Sequence, residues 1–366
     1  MSAVTSQPDP VRTLAAHYYT DPVIFQWEME RIFYRSWQFV GHSAQLAEPG
    51  DYLGFQVGGQ SLVAVHGSDG QIRAFYNVCQ HRGHELLQGS GHTRLITCPY
   101  HAWVYELDGR LRRARNSQCV AGFDPANIRL SQVRLEHFCG FLFANLNPEA
   151  LSMAETFPGI EAEIRDFAGD MDSLQAVHDF SVEETANWKI AVENYNECYH
   201  CQTTHPTFAR GVVDPGSYRI SARGQCLQHR AHAPASEWAA YRYDNKASQH
   251  AHDYSSWFLW PSFSLQVYPG GVVNSYHWHP LQVEQTRVTR GWYARDGKLT
   301  PELETIIELD RTTTFAEDLV LMASVQRGMN SRGYRPGPLI VDPDESILSE
   351  HPVLALQQLV LQALAD

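Results

Sequence analysis

The feature that most restricts this chain is a pair of Cys–His doublets. The first reads Cys79-Gln80-His81 and the second Cys98-Pro99-Tyr100-His101, with the 16 residues 82–97 between them. Each doublet lies where a β-rich run gives way to Gly or Pro, in loops that can fold around a metal. Two thiolates and two imidazoles suit a two-iron, two-sulfur cluster, with thiolates on one iron and neutral imidazoles on the other. The same residue types could bind zinc. Zinc-finger patterns place both cysteines before both histidines. Here the two types alternate, as expected if two loops pinch a cluster from opposite sides. His84 and His92 fall outside the pattern and are expected at the surface or behind the ligands. Trp103 is expected to pack on the ligand loop and keep water from it.

The surrounding texture sets the fold class. Asp21 to Trp37 has helical spacing, with Asp21 as N-cap and Pro22 in the first turn. From Tyr52 to about Leu146, short β-rich runs alternate with Gly, Asp and Asn turns. Past Leu151, helical stretches over Ile160–Phe167 and around Ala186–His200 precede antiparallel strands over Tyr254–Tyr293. A long helix over Pro301–Gly328 and a last one over Pro352–Leu364 follow. The expected architecture is α+β: an N-terminal helical segment (1–37), an all-β domain (38–150) and a domain of helices on an antiparallel sheet (151–366). The first ten residues are expected to fray. Hydrophobic residues make up 43% and charged residues 19%, which is the balance of an ordinary globular protein. No run of about 18 apolar residues occurs, so no membrane span is expected. The first residues lack the pattern of a secretory signal, so a cytoplasmic location is expected. A net charge of −13 argues against a nucleic-acid partner. The seven cysteines, an odd number, argue against a disulfide framework.

A second constellation lies in the segment from Asn187 to Pro206. His200 and His205 are five apart, about 140° around an ideal helix. They converge on one metal only if the helix loosens, which Thr203, Thr204 and Pro206 favour. Two imidazoles plus one carboxylate make the facial triad of ferrous oxygenases, with positions left open for dioxygen. Asp318, at the start of an amphipathic stretch, is the candidate third ligand. Position alone does not separate this from the plainer reading, that Glu317 and Asp318 are acidic residues favoured by the helix dipole. Cys198 and Cys201 are expected to pack near the site, and Cys119, Cys139 and Cys226 to be buried thiols.

Together these motifs carry a resemblance. Cys-x-His-Arg-Gly with Cys-Pro-Tyr-His-x-Trp is similar to the Rieske domain of ring-hydroxylating and N-demethylating oxygenases. The family usually has Pro where this chain has Gln80. Asn187-Trp188-Lys189, the run from Glu193 to Pro206, Glu317-Asp318 with Val325-Gln326, and Ser331 to Gly337 resemble the Rieske monooxygenases of quaternary amines. Carnitine, glycine betaine and stachydrine enzymes form that branch. The resemblance runs from about Tyr19 to His351. It implies a [2Fe-2S] cluster on Cys79, His81, Cys98 and His101, and a mononuclear Fe(II) on His200, His205 and Asp318. It also implies a helix-grip catalytic domain and a head-to-tail homotrimer. Glu197 matches the carboxylate that bridges the two metal centres, and Asn194, grouped with it as a catalytic residue, is expected with Tyr195 to line or support the iron pocket. Ala323 stands where relatives often have Glu.

Aromatic residues crowd the second half. Tyr195, Trp257, Asn274 and Tyr276 are candidate substrate contacts, since rings can cage a methylated ammonium. Such rings also serve as ordinary core. The expected reaction is hydroxylation of a C–H bond beside a cationic nitrogen, giving N-demethylation or C–N cleavage. The runner-up is an aromatic or other neutral substrate, and a bare electron carrier would need neither His205 nor Asp318. No Gly-x-Gly-x-x-Gly nucleotide signature occurs, so electrons are expected from a separate flavin and ferredoxin-type NAD(P)H reductase.

Overall fold

The structure is a computed structural model that describes residues 10–365 apart from 236, 245 and 247. The expectation for the first residues falls largely outside that range. The fold is α+β, as expected. Seven antiparallel strands form the N-terminal sheet, in the spatial order Gln38–His42, Phe141–Asn145, Gln132–Phe138, Ile72–Tyr76, Gln60–His66, Asp51–Val57, Ser90–His92. A small sheet, Ile96–Thr97, Val104–Tyr105 and Leu111–Arg113, carries the second Cys–His loop. A second seven-stranded sheet is ordered Gln175–Glu184, Gln285–Ala294, Val272–Gln282, Phe263–Tyr268, Asp253–Leu259, Cys226–His232, Arg219–Arg223.

The inner strands of this second sheet are buried on both faces. Ile160–Ala168 covers one face, with Ile164 and Phe167 packed beside Trp257 and Leu265. The other face carries the helices Trp188–Tyr195 and Thr314–Met329. The two halves of the chain share an interior: Phe39 stacks on Phe263 with centroids 4.6 Å apart.

Local chemistry sets the helix ends. Asp21 accepts a hydrogen bond from Val23 N, and Pro22 opens the helix Pro22–Glu28. The next turn, Met29–Phe33, is π-helical, so the continuous helix expected to Trp37 is not formed. The long C-terminal helix divides into Pro301–Thr312 and Thr314–Met329, with Thr313 at φ −112°, ψ −100° between them. Among the described residues no helix is long and apolar enough to cross a membrane.

Candidate metal centres

The two Cys–His loops are built alike. Cys79 N donates to His84 O and Gly83 N to Cys79 O; Cys98 N donates to Trp103 O and Ala102 N to Cys98 O. The fifth residue of each loop is left-handed, Gly83 at φ +74° and Ala102 at φ +55°. Ala102 adopts this strained region at a cost Gly83 avoids. Both cysteines are buried, while His81 is exposed and His101 half-buried. The thiols thus point inward and the imidazoles outward, their rings 4.7 Å apart. Trp103 stacks on His81 at 4.7 Å, and His84 and His92 are exposed. Gln80 explains its own departure from Pro. Its N–H donates to Tyr105 Oη at 3.0 Å, and that oxygen lies 3.3 Å from Cys79 Sγ. Proline could not make this bond.

The second group is assembled by two helices that share a polar clamp. Asn187 caps Trp188–Tyr195 by accepting from Lys189 N, and its own N–H donates to Gln326 of the helix Thr314–Met329. Trp188 Nε1 and Lys189 Nζ both donate to Glu28, at 2.8 and 2.5 Å, and all three residues are fully buried. The Asn-Trp-Lys and Val-Gln segments therefore fix one helix against the other and against the N-terminal helix. Beyond Tyr195 the chain unwinds, re-forms as Cys201–Thr204, and breaks at His205 (φ −113°, ψ 63°), where Pro206 opens the next helix. The loosening expected between the histidines occurs, although Thr203 and Thr204 themselves stay helical.

That break brings the side chains together. His200 Nε2 and His205 Nε2 are 3.0 Å apart, and Asp318 Oδ1 lies 3.0 Å from His205 Nε2 and 3.5 Å from His200 Nε2. One ligand atom from each residue falls within 4.8 Å of the others. Two imidazole nitrogens this close repel one another unless a proton or metal ion lies between them. The donor set fits ferrous iron, and three ligands leave coordination positions free.

The opposite nitrogens are tied as well. His200 Nδ1 is hydrogen-bonded to Glu197, and His205 Nδ1 lies 2.6 Å from Glu317 Oε2. Each imidazole is thus oriented by a carboxylate at Nδ1 and free to ligate through Nε2. Glu317 thus addresses the far side of the His205 ring, while its neighbour Asp318 joins the three converging groups. Burial opposes a charge on His200, yet hydrogen bonds to Asp318 and Glu197 overcome it and push its pKa up to about 10. Burial also works against the Asp318 carboxylate, but its bonds to both histidines lower its pKa below the usual value. The pocket therefore favours positive charge at its centre.

Asn194, Tyr195 and Tyr276 line the cavity around these ligands, together with Phe208, Tyr218, Tyr254, Gln266 and Tyr268. Sequence reasoning missed these last five. No Lys or Arg lines it among the described residues. Tyr195 Oη bonds Ser264 Oγ at 2.6 Å, fixing its ring. Arg290 covers one face of Tyr276 at 3.6 Å, so that face cannot meet a ligand. Two candidate contacts lie elsewhere. Trp257 sits on the opposite face of the sheet, fully buried, with Nε1 donating to Glu163. Asn274 lies behind the wall, accepting from Arg290 Nη1 at 2.7 Å. Cys198 and Cys201 also line the cavity, near the site as expected, and form a disulfide that the sequence did not suggest. Cys139 and Cys226 are buried as expected, whereas Cys119 is exposed.

Comparison with known proteins agrees with this chemistry. Residues 36–124 match the Rieske [2Fe-2S] domain, which decides against zinc, and residues 171–366 match the ring hydroxylating alpha subunit catalytic domain. The chain is 37% identical to the carnitine monooxygenase oxygenase subunit of Escherichia coli (strain K12), over 99% of this chain and 96% of the relative. It is 38% identical to that of Acinetobacter baumannii, over 98% and 96%. The structure matches a quaternary ammonium Rieske monooxygenase solved in complex with L-carnitine with a TM-score of 0.87 at 36% identity, covering 98% and 97% of the two chains. The chain therefore belongs to the ring-hydroxylating alpha-subunit family, as a Rieske non-haem iron monooxygenase with a [2Fe-2S] cluster and a mononuclear iron.

Proposed function

We propose that this chain hydroxylates a C–H bond beside the nitrogen of a quaternary ammonium or betaine-like substrate. Attack on an N-methyl gives a hemiaminal that collapses to formaldehyde and a tertiary amine; attack on the carbon skeleton beside nitrogen releases the amine by C–N cleavage. The observation that carries the reading is the tyrosine-walled cavity around His200, His205 and Asp318, with two carboxylates and no Lys or Arg in its lining among the described residues. Rings of this kind attract a methylated ammonium by about 0.5–2 kcal/mol per contact. With one face of Tyr276 covered, Tyr195, Tyr218, Tyr254, Tyr268 and Phe208 are the candidates for that contact. The names of the relatives, which act on carnitine, point the same way.

Cys79, His81, Cys98 and His101 are assigned to the cluster, and His200, His205 and Asp318 to the iron. When bound, these groups supply single electrons and a ferrous centre able to activate dioxygen. Glu197 and Glu317 hold the imidazoles in register, and the buried aromatic wall excludes water. A solved quaternary ammonium Rieske monooxygenase, 36% identical to this chain, is described in terms of inter-subunit electron transfer, which supports electron entry from a neighbouring subunit in a head-to-tail trimer, with Glu197 between its own His200 and His101 of the adjacent copy. A separate NAD(P)H-dependent reductase supplies the electrons, and the enzyme works in the cytoplasm.

The test is oxygen uptake by the reductase-coupled holoenzyme with carnitine, γ-butyrobetaine, glycine betaine and, as neutral controls, aromatic hydrocarbons. Substrate-dependent uptake with release of formaldehyde or trimethylamine is expected for at least one cation. Turnover of aromatic substrates alone would reject the cationic reading.

A further inference from the structure

We propose that the rim of the cluster site and the loop over the iron site are two halves of a charge-matched contact between copies of this chain. This rests on the head-to-tail reading and adds the residues that hold it.

The charge of the chain is unevenly placed. Although it is −13 overall, residues 79–120 carry six arginines and three carboxylates, with no lysine. Two of these carboxylates are engaged locally, Asp108 by Arg110 and Glu106 by Arg112. Arg82 and Arg115 are exposed and have no carboxylate partner among the described residues. Both stand at the outward imidazoles. Arg82 follows His81 in the chain and lies over the ring of Tyr100, and Arg115 shares a surface depression with His81 and His101. Tyr100 and Val120 on the same rim are 53% and 58% exposed, so apolar surface also awaits cover there.

The opposite charge lies at the iron site. Residues 341–350 hold Asp342, Asp344, Glu345 and Glu350 and no Lys or Arg. Ile347 anchors this loop, packing in one cluster with Cys198, Cys201 and Tyr218 around the His200 turn. Glu350 is close enough to Glu197 to feel its charge. Asp344 and Glu345 are exposed, as are Leu348 and Tyr199. An acidic loop with exposed apolar neighbours thus borders Glu197, the proposed bridge. An arginine rim with exposed apolar neighbours borders His81 and His101. Bringing the cluster of one copy to the iron of the next sets these two surfaces against each other. Opposed patches of this kind steer encounter and fix register more than they add raw affinity.

The test uses full-length holoprotein with both metals. In one variant, Arg82→Glu and Arg115→Glu are combined. In the second, Asp344→Arg and Glu345→Arg are combined. The third carries all four changes. Each one-sided variant is expected to shift the assembly toward monomer in sedimentation and to slow single turnover from the dithionite-reduced state by about tenfold or more. The four-fold variant, with the charges exchanged, is expected to recover most of both losses. Should the arginine variant fail to fold, the acidic-side variant and the salt dependence of wild-type trimer dissociation decide the matter. Dissociation should become easier between about 50 and 500 mM salt. One-sided variants that remain trimeric and transfer at the wild-type rate overturn the proposal. So does an arginine variant that loses only reduction by the reductase, which would assign the rim to that protein. A fully active wild-type monomer would instead remove the head-to-tail reading itself.

Discussion

The two ligand groups are built in opposite ways. The cluster loops lie within residues 79–101, repeat one backbone pattern, and present their imidazoles to the outside. The residues proposed to hold iron are drawn from residues 200–318, enclosed by helices and a sheet, and each imidazole is held at its far nitrogen by a carboxylate. The first site is held by hydrogen bonds within its own loops and by packing of both cysteines in the core of the N-terminal half. The second exists only once two helices are clamped together through Asn187 and Gln326. The cluster should therefore survive damage to the iron site, while the iron site should be sensitive to residues that never touch metal.

The largest expected effect comes from Asp318→Ala. It should abolish turnover and mononuclear iron while leaving the red-brown cluster spectrum intact, as metal analysis and visible absorption would read. Loss of the cluster in this variant would break the claimed independence. Glu197→Gln keeps the shape of the proposed bridge and removes its charge. Turnover should fall by at least about tenfold with both metals and the assembly retained. Normal turnover would show that Glu197 only orients His200. Glu317→Gln should weaken iron retention by about 10–100-fold, measured by chelator competition, without touching the cluster. Unchanged retention would reduce the His205 contact to packing.

The smallest effect concerns Glu184. It ends the strand Gln175–Glu184 on the face of Phe180, which packs edge-on against Phe315 of the Asp318-bearing helix at 5.3 Å. Its Oε2 is buried without a partner. Burial first, and the charge of Asp318 second, raise its pKa from 4.5 to about 8. The folded state therefore keeps a proton that the unfolded chain releases above 4.5. Stability from this group is present at low pH and is lost as pH rises from 4.5 through about 8. In the metal-free protein, Glu184→Gln should raise the melting temperature at about pH 8.5 and change it little at about pH 5. An equal shift at both would contradict the assignment.

The same contrast explains what the sequence could reveal. The two Cys–His loops were legible because their spacing is local, and the two loops close on themselves. The His200–His205 pair was legible for the same reason, with Pro206 marking the break. Asp318 could not be separated from its neighbour by position, since a helix start favours acids whatever their role. Glu317 went unrecognised because its partner lies 112 residues away. Its signal was the adjacent acidic pair, which can address a ligand and the ring that ligates. Trp257 and Asn274 were misplaced because strand alternation separates two faces without naming them. With helices on both sides, both faces are apolar, so nothing local says which one meets iron. The π-helical turn after Glu28 likewise leaves the apolar spacing almost unchanged.

The central claim is that the two unlike sites act as a pair across a subunit boundary, and mixing tests it most directly. His81→Ala removes a cluster ligand and Asp318→Ala an iron ligand, and each protein alone should be inactive. Co-expressed in equal amounts, they should form mixed trimers in which an intact cluster faces an intact iron at about one junction in four. The mixture should show about a quarter of wild-type activity. No activity from mixed trimers that carry both metals would place the electron path within one chain and contradict the central claim.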